Sequence, residues 1–242
     1  MPYWNRWSLR TKILFSTLLP VVLILLILLA AYWAEVHKKV INDYVSKARS
    51  ICITTESVRE GMEKKWAEGV LTPEMLKQYI SEGKTDLALS LVPVVEAWKA
   101  AMAKSKEGEY TFKVPKLSPR NPANEPDSME RRALEALKKG DLKEYYEKDA
   151  ATNSIRYFRA VRLTEACMYC HGDPARSFAL WGNSEGKDPT GALMENWKVG
   201  EVHGAFEVIQ SLDTADKEMR LDILRASAAL IVAIILLAGF LT

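Results

Sequence analysis

The chain has 242 residues, a formal net charge of +2, 48% hydrophobic residues and 26% charged residues. The nearly balanced charge lacks the basic excess of a nucleic-acid-binding protein, so we expect no nucleic-acid partner. The composition also excludes a disordered chain and a chain wholly embedded in a membrane. Because apolar residues are concentrated at the two ends, we expect the middle of the chain to form a water-soluble domain with its own core.

The first apolar stretch predicts a membrane-spanning helix. Residues 13–33 carry no charge, and a helix of about 20 apolar residues crosses a bilayer. Arg6, Arg10 and Lys12 precede this stretch, which predicts that residues 1–12 stay in the cytoplasm. A cleaved signal peptide is the alternative, although its apolar region would be about 7–15 residues long. Aromatic residues typical of membrane interfaces flank the stretch: Tyr3, Trp4, Trp7, Tyr32 and Trp33.

The last stretch of the chain predicts a second span. Residues 226–242 are apolar and uncharged, and we place the spanning helix at 223–242, with Arg220 and Arg225 reaching the interface. A terminal core helix is the alternative, but a helix that is apolar all round favours lipid. The two spans place residues 34–220 outside the cytoplasm. We therefore expect a protein of the inner (cytoplasmic) membrane whose central domain lies on the periplasmic side.

Between the spans, the sequence predicts a mixture of helices and strands, and hence the α+β class. An apolar stripe over 36–66 predicts a long helix that continues out of the first span. Thr72 and Pro73 open a second helix, and residues 86–104 predict a third that contains Pro93. The remaining predicted elements are strands at 110–114, 155–163 and 198–212, and helices at 129–139 and 213–242.

The run Cys-Met-Tyr-Cys-His at 167–171 is the attachment pattern of a c-type haem. The two thiols add to the vinyl groups at one edge of the porphyrin, and the adjacent imidazole becomes the proximal iron ligand. The run therefore predicts one covalent haem c, held by Cys167, Cys170 and His171. A dithiol redox site would need a thioredoxin-like pattern, and structural zinc would need four ligands. The other Cys and His residues are scattered: His37, Cys52 and His203.

Three stretches of the chain resemble a known family. They are 120–127 (Arg-Asn-Pro-Ala-Asn-Glu-Pro-Asp), 167–174, which contains the haem motif, and 197–205 (Trp-Lys-Val-Gly-Glu-Val-His-Gly-Ala). Together they resemble the haem-c-carrying, PAS-like periplasmic sensor domain that precedes chemotaxis-receptor or histidine-kinase modules in some bacteria, over about residues 36–215. The resemblance implies a PAS-like antiparallel sheet flanked by long helices, with haem against the sheet. Because the sequence shows no signalling module, we expect a separate protein partner.

The iron ligand opposite His171 decides what the haem does. Cys52 lies on the apolar stripe of the first long helix, and the resemblance implies that a cysteine on this helix can bind the iron; a buried inert cysteine is the alternative. His203 is a second candidate, with a strand-surface histidine as the alternative, and Met62 is a third. We interpret His37 as a surface residue near the membrane. A Cys52 thiolate would favour ferric iron, and reduction would weaken that bond and release the helix.

Haem propionates need hydrogen-bond donors, and two groups of residues are candidates. Arg49 and Arg59 lie on one face of the first long helix, near the candidate Cys ligand. Arg120, Asn121 and Asn124 lie in the loop of the first family-like stretch. Solvated charges and turn chemistry are the respective alternatives. We predict that Arg49, Arg120, Asn121 and Asn124 contribute to cofactor binding.

These features favour a membrane-anchored, mono-haem c-type cytochrome that senses redox state or a small gas and signals to a partner protein. An electron-transfer haem-c subunit of a membrane respiratory complex is the alternative. We do not expect an enzyme, because no acid–base constellation for catalysis stands out in the sequence. Long helices beside the membrane are also compatible with a homodimer.

Overall fold

The structure, a computed structural model, describes residues 7–240. Tyr3, Trp4 and Arg6 of the predicted cytoplasmic segment lie outside the described residues, as do the last two residues of the second predicted span. The chain forms two compact units. Of the described residues, 7–43 and 212–240 form one unit, and 44–211 form the other.

The first unit contains the N-terminal part of helix α1 (Leu9–Ala67) and helix α8 (Asp213–Phe240). Each of these helices includes an apolar window, with mean hydropathy 3.0 in α1 and 2.3 in α8, and neither window is buried. Both helices therefore have the length and composition of a membrane-crossing helix. They lie at the two positions where the sequence predicts spans.

The second unit begins with the remainder of α1 and continues through several shorter helices. Thr72 caps helix α2 (Pro73–Ser81) by accepting a hydrogen bond from the backbone nitrogen of Met75. The single helix predicted over 86–104 is two helices, because Pro93 cannot donate a backbone hydrogen bond and instead begins the second one. The helices of this part are α2 (Pro73–Ser81), α3 (Thr85–Ser90), α4 (Pro93–Ala103) and α5 (Ser128–Lys139).

The sheet has four antiparallel strands in the order β1-β4-β3-β2, which confirms the α+β class. The strands are β1 (Thr111–Lys113), β2 (Glu144–Asp149), β3 (Ser154–Arg162) and β4 (Val202–Ser211). Strand β2 is not among the strands that the sequence predicts. This strand, Glu-Tyr-Tyr-Glu-Lys-Asp, lies at an edge of the sheet and is only partly buried, so it carries the charged residues typical of an edge strand.

Both faces of the sheet are covered, because residues that alternate along β3 and β4 point to opposite sides. On one face, Phe158 and Ala160 of β3 and Ala205 of β4 pack against α5 in a buried apolar cluster. On the other face, Arg159 pairs with Glu56 of α1 at 2.6 Å. The part of α1 that belongs to this unit therefore packs on the face opposite α5.

The haem motif lies just beyond β3. A 3-10 turn at Glu165–Cys167 leads into helix α6 (Met168–His171), and helix α7 (Ser177–Trp181) follows. Tyr169 and Cys170 pack against a second apolar cluster, formed by Leu76, Ala88, Trp181 and Met194. The motif is thus held between the end of the sheet and the core of the small helices.

Candidate haem site

The two motif cysteines lie three residues apart on a helical turn, which places them on one side of it. The Cys167 sulfur lies 3.4 Å from the Thr164 hydroxyl, and that hydroxyl donates a hydrogen bond to Glu63 of α1 at 2.9 Å. The indole nitrogen of Trp181 donates to the carbonyl oxygen of Tyr169 at 2.8 Å. Burial raises the pKa of the Cys170 thiol to about 12, so this thiol is protonated at neutral pH.

Gly172 ends the motif at a position too crowded for a side chain. Its nitrogen donates to the Met168 carbonyl oxygen at 3.1 Å, and a Cβ added to Gly172 would lie 2.5 Å from that oxygen. The backbone nitrogens of Asn196 and Trp197 donate to the carbonyl oxygens of Gly172 and His171, at 3.0 and 2.9 Å. These two bonds tie residues 195–197 to the end of the motif.

The His171 ring is oriented by a carboxylate. Its Nδ1 lies 2.8 Å from an oxygen of Glu195. Although burial opposes ionisation, hydrogen bonds from His171 and Arg120 hold the pKa of Glu195 at about 2. A carboxylate can only accept, so Nδ1 carries the proton and Nε2 is the nitrogen left for a metal. Burial lowers the pKa of His171, which favours the neutral imidazole that metals bind. A histidine ligand commonly has such a carboxylate partner.

Arg120 joins the motif to the segment that faces it. Its guanidinium donates to Glu195 at 2.6 and 2.9 Å and to Asp188, which is buried, at 2.6 Å. It also donates to the carbonyl oxygens of Cys170 and Leu193, at 2.9 and 2.8 Å. Arg120, a candidate propionate donor from the sequence, lies beside the motif and binds Glu195 and the motif backbone. Its role toward a propionate stays a prediction. Neither Glu195 nor Asp188 is predicted from the sequence, since no local pattern in this loop distinguishes them.

His203 of β4 lies directly beside His171. Their ring centroids are 4.6 Å apart, and the Trp197 ring packs edge-on against His203 at 5.0 Å. Burial, reinforced by the charge of Lys116, lowers the pKa of His203 to about 3. Its Nδ1 is buried and has no hydrogen-bond partner among the described residues. Such an unsatisfied buried nitrogen is uncommon in folded proteins.

Cys52 occupies a different environment. It is fully buried, and its sulfur lies 3.9 Å from the Phe206 carbonyl oxygen in β4. Burial raises the pKa of the thiol far above its usual range, so a thiolate would form there only with a compensating positive charge. These contacts place Cys52 between α1 and the sheet, whereas the contacts of His203 are with His171 and Trp197.

The remaining predicted cofactor-binding residues take part in structural contacts. Arg49 forms a two-pronged ion pair with Glu144 of β2, with a shortest distance of 2.5 Å. The Asn121 side chain accepts from the backbone nitrogen of Ala123 at 3.0 Å, and the Asn124 carbonyl oxygen accepts from the backbone of Lys116 at 3.1 Å. In the same α1 helix as Arg49, the buried Arg59 donates to the Arg162 carbonyl oxygen at 2.8 Å.

A cleft of about 460 Å³ lies beside the motif, within the size range of small-ligand and cofactor pockets. Trp66 of α1 and Leu180 of α7 contribute to its walls, and the motif contributes Met168 and Tyr169. These two motif residues lie between the cysteines in the sequence. The cleft is therefore lined by the neighbours of the cysteines in the sequence.

The donor set fits a c-type haem. It comprises two thiols on one helical turn, a neutral imidazole whose Nδ1 is held by a carboxylate, and a second buried imidazole with an unpartnered nitrogen. Within residues 7–240, no cluster of three or more His, Cys, Asp or Glu side chains is arranged to hold a metal ion. The residues that could hold haem are thus Cys167, Cys170 and His171, with His203 and Cys52 as further candidate ligands.

Comparisons with known proteins place this geometry in a family. The model of the Tll0287-like family matches residues 37–211, which include the haem motif and the whole sheet. The crystal structure of the cyanobacterial haem protein Tll0287 is similar at a TM-score of 0.38 and 18% identity, covering 60% of this chain and 93% of that one. No curated protein matches the chain. Because the family model covers well over half of the sequence, the chain belongs to the Tll0287-like family.

Proposed function

We propose that the unit of residues 44–211 is a mono-haem c-type cytochrome domain, in which Cys167 and Cys170 carry the haem and His171 is the proximal iron ligand. The observation that carries this proposal is the pairing of His171 with the Glu195 carboxylate at 2.8 Å, beside two thiols at haem-attachment spacing. Membership of a family that takes its name from a protein described as a haem protein supports it.

The iron chemistry would come from the haem, whereas the protein holds the haem and orients its iron ligand. A bound haem supplies an iron centre that changes oxidation state or binds a small ligand. The thiols of Cys167 and Cys170 fix its position, and Glu195 fixes the orientation of His171. Trp181 and the backbone bonds of Asn196 and Trp197 keep the motif turn in place.

We further propose that the domain is a PAS-like redox or gas sensor, anchored in the inner membrane and facing the periplasm, that signals to a protein partner. Three features support this role. Helix α1 contains both Cys52 and the first predicted span, and α8 begins two residues after β4 ends. The first strand of the sheet also pairs with the last. A change in the oxidation state or the ligands of the haem iron would thus act on α1 and β4, which lead directly into the two predicted spans.

Haem attachment is tested by expressing the full chain with a c-type maturation system and recording the pyridine haemochrome spectrum of the purified protein in detergent. We expect one haem per chain, covalently bound, and its loss when Cys167 and Cys170 are both replaced by alanine. Cys52→Ala is the matched control and should keep the covalent haem. A wild-type protein without covalent haem would contradict the proposal.

A further iron ligand, beside His171, would be identified by absorption and EPR spectra of Cys52→Ala and His203→Ala in both oxidation states. If Cys52 binds the iron, only the first variant loses the low-spin signature of a thiolate ligand. If His203 binds it, only the second variant changes spin state. Unchanged spectra in Cys52→Ala would rule out the thiolate as a ligand.

An electron-transfer subunit of a respiratory complex is the second candidate. The observation that favours it is that Cys167 and Cys170 are only partly shielded from solvent, which would leave a haem edge near the surface. A sensor should exchange its sixth ligand on reduction or on addition of CO or NO. An electron carrier should instead keep its spectrum with CO and show fast, reversible redox behaviour.

A further inference from the structure

We propose that Glu195 lowers the reduction potential of the haem through its hydrogen bond to His171, and that Arg120 limits this effect by binding the same carboxylate. This inference rests on the proposed haem function. Neither residue belongs to the motif that attaches the haem, yet Glu195 contacts the proximal histidine directly, at 2.8 Å. Arg120 contacts both oxygens of Glu195, at 2.6 and 2.9 Å.

The proton between His171 and Glu195 lies on the histidine nitrogen. Arg120 contacts both oxygens of Glu195 as an ion pair, and Nδ1 of His171 lies 2.8 Å from one of them, so Glu195 is held as a carboxylate that accepts from both neighbours. An ionised carboxylate accepts the Nδ1 proton of His171 and makes the imidazole a stronger electron donor through Nε2. A stronger donor stabilises ferric iron more than ferrous iron. The equilibrium for the uptake of one electron therefore shifts toward the oxidised state.

Arg120 opposes this effect. A carboxylate that is ion-paired with a guanidinium is a weaker acceptor for the Nδ1 proton of the histidine, because the positive charge offsets part of its own. Arg120 cannot turn away from Glu195 easily, because Asp188, which is 3% exposed, holds it from the other side at 2.6 Å. The cation is thus fixed on the carboxylate that orients the proximal ligand.

The contact between Glu195 and His171 can change the reduction potential reproducibly only if its geometry is fixed. Glu195 lies in a segment whose backbone is bonded to the motif through Asn196 and Trp197. Asn196 adopts a left-handed conformation with φ of 59°, which asparagine tolerates better than most residues. The side chain of Glu195 is therefore aimed at His171 by the backbone on one side and by Arg120 on the other.

The experiment is a redox titration of the purified holoprotein with mediators, following the haem absorption bands. Glu195→Gln keeps an acceptor for Nδ1 but removes the charge. We expect the potential to rise by about 59 mV, which corresponds to a tenfold change in the one-electron equilibrium constant. The matched control is Glu185→Gln, which removes one charge from the same loop. Glu185 is ion-paired with Lys187 and its side chain is 67% exposed, so we expect an unchanged potential.

The second variant shifts the potential in the opposite direction. Arg120→Lys keeps the positive charge but loses the fork that binds both oxygens of Glu195, so we expect a lower potential than in the wild type. A merely structural role would move both variants in the same direction. If Glu195→Gln fails to retain haem, the inference is tested by Arg120→Lys alone. A reduction potential of Arg120→Lys equal to or higher than that of the wild type would overturn the inference. A wild type without covalent haem would instead refute the proposed function itself.

Discussion

Glu207 lies in the centre of the sheet, on the face covered by α5, where a charged side chain is costly. It is fully buried, as is Glu130 of α5. Arg156 donates to Glu207 at 2.6 Å and lies 3.1 Å from Glu130, and Lys113 also pairs with Glu130. Burial raises the pKa of Glu207 to about 8, whereas hydrogen bonds from Glu207 and Lys113 outweigh burial and lower that of Glu130. The proton of this pair therefore lies on Glu207 at neutral pH.

Replacing Glu207 by Gln should stabilise the protein above pH 5. The folded state keeps a proton on Glu207 that the unfolded state loses above about pH 4.5, so the wild type loses stability as the pH rises toward 8. Gln keeps the acceptor for Arg156 and does not titrate. We expect the free energy of unfolding of the variant to exceed that of the wild type by an amount that grows by on the order of 1 kcal/mol per pH unit between pH 5 and 8. Urea unfolding of the full chain in detergent at several pH values measures it, and a constant difference would contradict it.

Arg49 is expected to contribute to stability more than to haem binding, because its guanidinium is held by Glu144. The hydrogen bonds from Arg49 are the main cause that lowers the pKa of Glu144 to about 2. This stabilisation is present above about pH 4.5 and is lost as the pH falls through 2. Arg49→Met should therefore cost about 1 kcal/mol at pH 7, a figure reduced for partial exposure, and much less at pH 2.

The control for Arg49→Met is Arg131→Met, which removes a more exposed ion pair with Glu125 and should cost under about 0.5 kcal/mol. Chemical unfolding measures both variants, and the haemochrome spectrum measures their haem content. A loss of haem from Arg49→Met at unchanged stability would support the predicted role in propionate binding instead.

At the scale of elements, the motif turn depends on its surroundings. Helix α6 has only four residues, and so short a helix is not stable by itself. Thr164 and Gly172 bracket it, while Trp181 and Trp197 hold its backbone from outside. The geometry of the haem-attachment site is therefore a property of the packed unit.

Gly172→Ala should disturb this turn, because the new Cβ would lie 2.5 Å from the Met168 carbonyl oxygen, a backbone atom that cannot move freely. We expect a loss of about 1–3 kcal/mol in stability and a reduced haem content, measured by unfolding and by haemochrome spectra. Gly61→Ala is the matched control. Gly61 lies within α1 with open space around it, and alanine there should be neutral or stabilising by about 0.5–1 kcal/mol. Equal stability and equal haem content of the two variants would contradict the prediction that a Cβ at Gly172 is crowded.

At the scale of the whole molecule, the two apolar helices predict how the protein is retained in cells. The windows of mean hydropathy 3.0 and 2.3 are not buried in the structure, so water is an unfavourable environment for them. We expect the full chain to stay in the membrane pellet after an alkaline carbonate wash and to require detergent for extraction. Recovery in the wash would contradict the predicted spans.

The sequence predicts the parts of this protein that depend on local chemistry. The haem motif is recognisable because thiol attachment fixes the spacing of Cys167, Cys170 and His171. Strands β3 and β4 are recognisable because apolar residues recur at alternate positions in their sequences, although both faces of these strands are largely buried. Strand β2 is missed because an edge strand needs no apolar alternation. Glu195 is missed because a loop, whose course is set by tertiary contacts such as those of Arg120, brings it to His171.

The aromatic residues around the motif have a practical consequence. The Trp66 ring lies 5.3 Å from that of Tyr169, Trp181 donates to the Tyr169 backbone, and Trp197 packs on His203. Indole emission is quenched by energy transfer to a nearby porphyrin, so these side chains are built-in reporters of cofactor insertion. A titration of fluorescence intensity during maturation would follow haem uptake in the unlabelled protein, without any introduced dye.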